Sequence, residues 1–487
     1  MSDSTLKKRT VIALFWSFLD KFGQKVVFLI SSVFLMRLLD ISAYGIMGSL
    51  LIFTAISSLL IDSGFGRALL NRKHLTALEY STVFYFNLGV SLILYVALFF
   101  SAPLIAQLFH EPLLIPVSRI LFLSLIFNGF SLIQMIIFIK ASDFKTQTKA
   151  NTSALVISTT IALIMAWKGY GVWSLVAQNV IYALFRSILF WLYSPWRPTP
   201  VFSFEKLKTF FAFSNKLIAS GAIGAVFNNI YPSIIAMFYP MQQVGFYTQA
   251  YKYQDTPFSV LSDTFRSVSM LVLSEINQQT ERLHRVVAKL MKSMAFLSFP
   301  IGLVLILIAE PLFVNVFGEK WLPSVPYFQI LCLGGIVSPF TFILNELFIA
   351  KERADFFLSV EIVKRIILVA LIIAFFKQGI TGLAVSWVVY MYITLIISLF
   401  LSKKLIAYST WNFIRDIIPY ASLSLVAVLV AYFASLQISN GFLKMFIALA
   451  VMGTVYLILC RVLKLEMTTE IKQFIVSKRL KKIDNEE

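Results

Sequence analysis

Charge is scarce in this chain. Only 14% of its 487 residues are Asp, Glu, Lys or Arg, where a soluble domain carries roughly 25%. That shortage excludes the string of soluble domains that the length alone would suggest. Cysteine is scarcer still: Cys332 and Cys460 stand in separate apolar segments, which excludes a disulfide framework and a thiolate metal site. The three histidines, His74, His110 and His284, are scattered. There is no metal-ligand spacing, no phosphate-binding glycine loop and no nucleophile elbow, so no cofactor and no metal are expected. Long polar segments are missing too, and none could fold as a domain of roughly 50 residues. A membrane polymerase, glycosyltransferase or ligase would need a substantial outside loop with catalytic groups; the short loops here speak against an enzyme.

What is abundant is apolar sequence, at 59% of residues. It comes in stretches of about 20 residues, each long enough to cross the roughly 30 Å of a bilayer core as a helix. Alternating barrel strands would be half that length. The expected fold is therefore all-α and polytopic, with about fourteen spans at 11–36, 45–62, 81–101, 117–139, 151–167, 171–193, 212–238, 244–273, 286–309, 325–349, 355–376, 380–402, 414–435 and 441–463. The first begins after Lys7, Lys8 and Arg9, as a signal peptide would. It runs to about Leu35 without a small-residue cleavage site, so it reads as a span. The weakest is 244–273, which is unusually polar.

With the N-terminus inside, 32 of the 42 Lys and Arg fall in cytoplasmic segments and 6 outside. That bias places both termini in the cytoplasm. It also accounts for the net charge of +18, so no nucleic acid partner is implied. The basic tail from Lys472 to Lys482 can touch anionic lipid.

The chain repeats itself. Residues 102–109 read APLIAQLF and residues 310–317 read EPLFVNVF; Tyr44-Gly45 opens the second span as Val244-Gly245 opens the eighth. Spans 1–6 and 7–12 thus read as two parallel copies related by an axis along the membrane normal. The expected division is an N-terminal lobe (1–200), a C-terminal lobe (201–405), two extra spans (406–465) and a tail (466–487). Such a two-lobed bundle suggests a transporter that rocks about a site near the bilayer midplane.

Polar residues inside spans are costly in lipid and mark candidate sites. Span 1 carries Asp20, Lys21, Gln24 and Lys25. The i, i+4 spacing puts Asp20 with Gln24 and Lys21 with Lys25 on one broad face. That face is either a cationic cavity wall or an internal Asp–Lys pairing. Span 8 carries Tyr251, Lys252, Gln254 and Asp255, and span 7 carries Asn228 and Asn229. Pro232, Pro257, Pro300 and Pro339 are hinges or static kinks. Arg67, Arg72, Arg186, Lys364 and Arg365 lie towards the cytoplasmic side, as an entrance for an anionic headgroup or as a basic fringe; Arg186 alone could simply snorkel. Three buried lysines against two aspartates favour an anionic substrate, and a lipid-linked diphosphate suits lysine point charges.

These features bring a family into view. Leu38-Leu39-Asp40 with Tyr44-Gly45, the turn Asp62-Ser63-Gly64-Phe65-Gly66, Val244-Gly245-Phe246-Tyr247 with Ala250-Tyr251, and Phe317-Gly318-Glu319-Lys320-Trp321 with Pro323 resemble the Wzx-type polysaccharide flippases. These belong to the multidrug/oligosaccharidyl-lipid/polysaccharide exporter superfamily, and the colanic-acid and teichuronic-acid exporter branch is the nearest in look. The resemblance implies two six-helix lobes plus two helices. It implies transfer of an undecaprenyl-diphosphate-linked oligosaccharide across a bacterial inner membrane, with a polysaccharide polymerase and a chain-length regulator as partners. The cationic cavity of the family would map onto Lys21, Lys25 and Lys252, and proton or sodium coupling onto Asp20, Asp255 or Glu361. The alternatives are a lipid II flippase, expected to use arginines in span 1, and a cation or drug antiporter, expected to use carboxylates without the lysine pair.

Overall fold

A computed structural model of the protein describes residues 23–62, 64–72, 75–351 and 354–469. Among these, every regular element is helical. The first half holds α1 (23–38), α2 (Ile41–Ser49), α3 (Leu51–Asp62), α4 (Phe65–Asn71), α5 (Ala77–Leu108), α6 (Leu114–Leu121), α7 (Leu123–Lys140), α8 (Phe144–Trp167) and α9 (Val172–Tyr193). It continues through α10 (Phe204–Asn228), α11 (Ile230–Phe238) and α12 (Met241–Glu275). The second half holds α13 (Thr280–Leu307), the short α14 (Ala309–Pro311) with a π-helical turn at Leu312–Phe317, α15 (Ser324–Ala350), α16 (Ala354–Phe375), α17 (Gly379–Ile406), α18 (Thr410–Ser435) and α19 (Gly441–Val462).

Among the described residues, the expected spans from 45–62 onward each coincide with one helix or with two consecutive helices. Among the described residues, nine helices are long and apolar enough to cross a bilayer, or eleven when each bent pair counts once. That count joins α16 to α17, which are separate helices packed on each other across the turn Phe376–Gln378. The other expected spans are α1, only partly described, and α12, too polar to pass on composition. This is an all-α, multi-pass membrane protein.

Helix starts follow local chemistry. Thr76 and Glu79 form a capping box on α5; Asp143, Ser203, Ser409 and Asn440 cap α8, α10, α18 and α19 with their side chains. Each satisfies backbone N–H groups that a helix start leaves open. Bends also have causes. Pro232 has no N–H to offer the carbonyl of Asn228, four residues back, and the chain bends by 45° there, between α10 and α11. The 40° bend between α2 and α3 follows Ser49, whose hydroxyl donates to the Ile46 carbonyl at 2.9 Å, a back-bond of the kind that bends helices.

Other prolines sit inside continuous helices. The carbonyls that three of them free are taken up by side chains. For Pro103 it is Phe99, reached by Arg119 Nε at 3.3 Å. For Pro300 it is Phe296, reached by the Tyr456 hydroxyl at 3.0 Å. For Pro339 it is Gly335, reached by the Ser338 hydroxyl at 3.0 Å. In lipid such groups must be satisfied within the protein, and at Pro300 and Pro339 they are, inside helices that run on without a break.

The chain forms two compact units, residues 1–248 and 249–487. In the first, α5 packs on α7, α7 on α9, and α9 on α8. In the second, α13 packs on α15, α15 on α17, and α17 on α16. The sequence repeat is therefore repeated in packing order. The additional pair α18–α19 docks on α13, around buried Phe296, Tyr420 and Tyr456. Helices α10 and α11 open the second sequence copy, yet they pack on α2 to α5 within the first unit.

One contact within the first unit expresses the repeat directly. Gly45 on α2 faces the Met241 backbone at the start of α12, and Gly245 faces the Ile41 backbone. Gly48 faces the Thr248 side chain. Gly45 and Gly245, Ile41 and Met241, and Gly48 and Thr248 each stand at the 200-residue offset read from the sequence, so this crossing is reciprocal. It is close because neither glycine carries a Cβ.

Candidate functional site: a polar helix face and a cavity

Helix α12 shows two faces. Tyr247, Ala250, Gln254 and Phe258 are buried. Lys252, Asp255, Asp263 and Arg266 are exposed, and Ser259 is half-buried between them. Their spacing of three, four, four and three residues forms one stripe along the helix. The cost decides what this stripe can face. Charged residues at a bilayer centre cost about 2.5–3.5 kcal/mol each on an insertion scale. Four facing lipid would cost on the order of 10 kcal/mol, comparable to the whole stability of a typical protein. The stripe therefore belongs against water. Its C-terminal end is tied to its own unit: Arg266 lies 4.0 Å from Asp263 and 3.6 Å from Glu346 on α15, with its guanidinium over the Phe342 ring.

The first unit encloses a cavity of about 460 Å³. Thr54, Ser58 and Asp62 line it from α3; Ser124, Asn128 and Ser131 from α7; Asn179, Tyr182 and Arg186 from α9. Each set follows the i, i+3/i+4 rule, so each helix turns one polar row inward. Arg186 donates through Nη2 to Asn128 Oδ1 at 2.7 Å and lies over the Tyr182 and Phe190 rings. Its Nε is buried without a hydrogen-bond partner.

The sequence candidates take varied places. Asp20 and Lys21 lie outside the described residues, as does the side chain of Arg67. Gln24 and Lys25 are half-buried on α1. Asn228 is exposed at the end of α10, whereas Asn229 donates to the Ala225 carbonyl at 2.9 Å and braces the α10–α11 bend. Tyr251 meets Trp387 edge to face. Lys252 and Asp255 are on the α12 stripe. Gln254 is not: it is 1% exposed and packs over Gly335 of α15, where no Cβ would fit.

The cytoplasmic set divides. Arg72 pairs with the buried carboxylate of Glu79 and stacks on Phe210; Lys206 approaches the same carboxylate at 3.9 Å. Glu361 bridges Lys364 at 3.3 Å and Arg365 at 3.1 Å, and Lys364 also reaches Asn345 at 3.3 Å. Glu361 is thus a counter-ion for two cations. Among the described residues, no group of three His, Cys, Asp or Glu could hold a metal ion. The sequence reading missed the polar rows of α3, α7 and α9. Its attention to charge passed over Thr, Ser and Asn, although Ser124-Asn128-Ser131 and Thr54-Ser58-Asp62 carry helical spacing in plain view.

Comparison with known proteins agrees with this architecture. The model of a family described as polysaccharide biosynthesis protein matches residues 34–326. The lipopolysaccharide biosynthesis protein WzxC of Escherichia coli (strain K12) is 24% identical over 432 residues, 88% of each chain. The teichuronic acid biosynthesis protein TuaB of Bacillus subtilis (strain 168) is 25% identical over 304 residues, 62% of this chain and 63% of TuaB. The latter match spans less than two thirds of that protein. Among solved structures, the lipid II flippase MurJ in an inward closed conformation has a TM-score of 0.75 at 15% identity, covering 92% of this chain and 99% of that one. An inward-facing multidrug resistance MATE family transporter of the MOP superfamily has 0.65 at 17% identity, covering 79% and 94%. At these identities the structural likenesses speak for fold alone.

Proposed function

The chain belongs to the polysaccharide biosynthesis protein family, and from that premise we propose that it is a flippase for a lipid-linked oligosaccharide. The substrate is an undecaprenyl-diphosphate-linked glycan moved from the inner to the outer leaflet of a bacterial inner membrane, for surface polysaccharide synthesis. Both termini are cytoplasmic in this reading. The observation that carries it is the charged face of α12, a helix of spanning length with Lys252, Asp255, Asp263 and Arg266 exposed along it. Such a face needs an aqueous path, and a glycan with a diphosphate needs the same path while its prenyl tail stays in lipid. Lysine at 252, and at 21 and 25 in α1's span, offers point charges to the diphosphate. A polymerase and a chain-length regulator are the partners that would take the product. Proton or sodium flux is the driving force, with Asp255 a better carrier than Glu361, which already serves two cations.

The test is export. A strain lacking the gene and complemented with Lys252→Ala is expected to hold normal levels of inserted protein and to lose most surface polysaccharide. Normal export by that strain would remove the α12 stripe from the path. Normal polysaccharide in the uncomplemented deletion would refute the flippase reading itself.

A further inference from the structure

The segment Phe317-Gly318-Glu319-Lys320-Trp321 meets α12 through a braced turn. Leu312–Phe317 is π-helical, a rare backbone form that is frequent at functional sites. It ends at Gly318, with φ 111° and ψ 151°, a conformation essentially reserved for glycine. After it, Trp321 is fully buried, and its backbone N–H donates to the Gly318 carbonyl at 3.0 Å. Within it, the Asn315 side chain donates to the Pro311 carbonyl at 3.1 Å and fills the space that a Cβ on Gly441, at the start of α19, would need. A turn braced in this way holds its last ring, Phe317, in one place.

That ring lies against α12. The Phe317 and Tyr253 centroids are 4.5 Å apart, a separation at which aromatic pairs attract, and Phe313 flanks the two at 5.5 Å and 6.4 Å. A second contact grips the helix from its other flank. Tyr251 meets Trp387 of α17 edge to face at 5.6 Å, and Trp387 is seated on Gly334 of α15, where no Cβ would fit. At 3.6 residues per turn, Tyr251 and Tyr253 each stand about 100° from Lys252, on opposite sides of it. Lys252 therefore points out between the two rings. A roll of α12 in either sense breaks these contacts, carrying Lys252 towards protein and the buried Gln254 towards water.

We propose that Phe317 and Trp387 are positioning residues for transport: through Tyr253 and Tyr251 they set the rotation of α12, and so aim Lys252 and the charged stripe at water. This rests on the flippase reading for the use of the stripe, whereas the rotation is read without transport. It gives the π-helical turn a task that lies in aiming a neighbouring helix rather than in touching substrate.

Single cysteines in the purified full chain report the rotation, with a sulfonated, water-soluble maleimide as the probe; the chain's own Cys332 and Cys460 are buried. Lys252→Cys is expected to react at least tenfold faster than Gln254→Cys. Phe317→Leu removes the ring and keeps an apolar side chain, and is expected to bring that ratio below threefold. Trp387→Leu, on the opposite flank, is expected to do the same and serves if Phe317→Leu does not insert. Phe328→Leu is the matched control: it loses a buried ring that pairs with Phe313, and is expected to leave the ratio above tenfold. An unchanged ratio in an inserted Phe317→Leu or Trp387→Leu chain overturns the proposal. An equal fall in Phe328→Leu overturns it too, because the effect is then one of general packing. Surface polysaccharide is measured in strains carrying the same ring variants with Lys252 intact, and export by Phe317→Leu is expected to fall at least fivefold at normal protein level. Normal export alongside a collapsed ratio refutes the use of the stripe in transport and leaves the rotational hold standing, so the two readings fail apart.

Discussion

A single methyl group at Gly45 tests the crossing of α2 and α12. A Cβ there would fall 2.6 Å from the Met241 carbonyl carbon and closer still to its oxygen, where real Cβ atoms stay beyond 3.0 Å. The neighbour is backbone, so no rotamer can yield and the helices must part. Parting by roughly 1 Å forfeits a quarter to a half of the dispersion energy of each atom pair across the seam. Overpacking against side chains costs about 1–3 kcal/mol, and backbone sets the upper end, about 3 kcal/mol. For a unit of this size that lowers the apparent Tm by about 6–12 °C. Gly245→Ala should do the same, because its Cβ would meet the Ile41 backbone. Reciprocity gives the sharper expectation. Once one methyl has parted the helices, the second enters a gap already open, so the double variant should cost well below the sum. Gly89→Ala is the control: nothing lies within 4 Å of its Cβ position, and alanine in a helix should be neutral or stabilising by up to about 1 kcal/mol. The assay is thermal unfolding of the purified protein, followed by size-exclusion chromatography. Equal Tm for Gly45→Ala and Gly89→Ala, or strict additivity of the two seam variants, would refute this reasoning.

Two further expectations concern paired charges. Glu361→Gln removes the carboxylate that Lys364 and Arg365 share and should destabilise by about 3–5 kcal/mol; adding Lys364→Met should recover much of that loss, and a double variant no more stable than Glu361→Gln would break the assignment. Glu79→Gln removes the carboxylate that holds Arg72 and the Thr76 backbone N–H, for a loss of about 2–3 kcal/mol by the worth of hydrogen bonds to charged groups, read as a lower Tm.

The α12 stripe and the Arg186 cavity were legible to different degrees. Lys252 and Asp255 announce themselves, since a charge in an apolar run has few explanations. Gln254 looked like their companion, but helical rotation over two residues turns it to the buried face, against Gly335. Arg186 was visible as a charge in a span, and its direction was not. The polar row on α7 became significant only when α3 and α9 brought their own rows to the same space, because a lone Ser or Asn in a span can satisfy itself on its own backbone.

By itself the sequence determined the class of molecule, the helical spans and the repeat at 200 residues. Those depend on summed hydropathy and on local spacing, both carried along the chain. The tertiary structure decided that Gly45 and Gly245 oppose each other across a seam. It placed α10 and α11 on the first unit and left Arg186 in a cavity with its Nε unpartnered. Each of those depends on which helix faces meet, and that is set by close packing between segments tens to hundreds of residues apart in sequence, which no local pattern records.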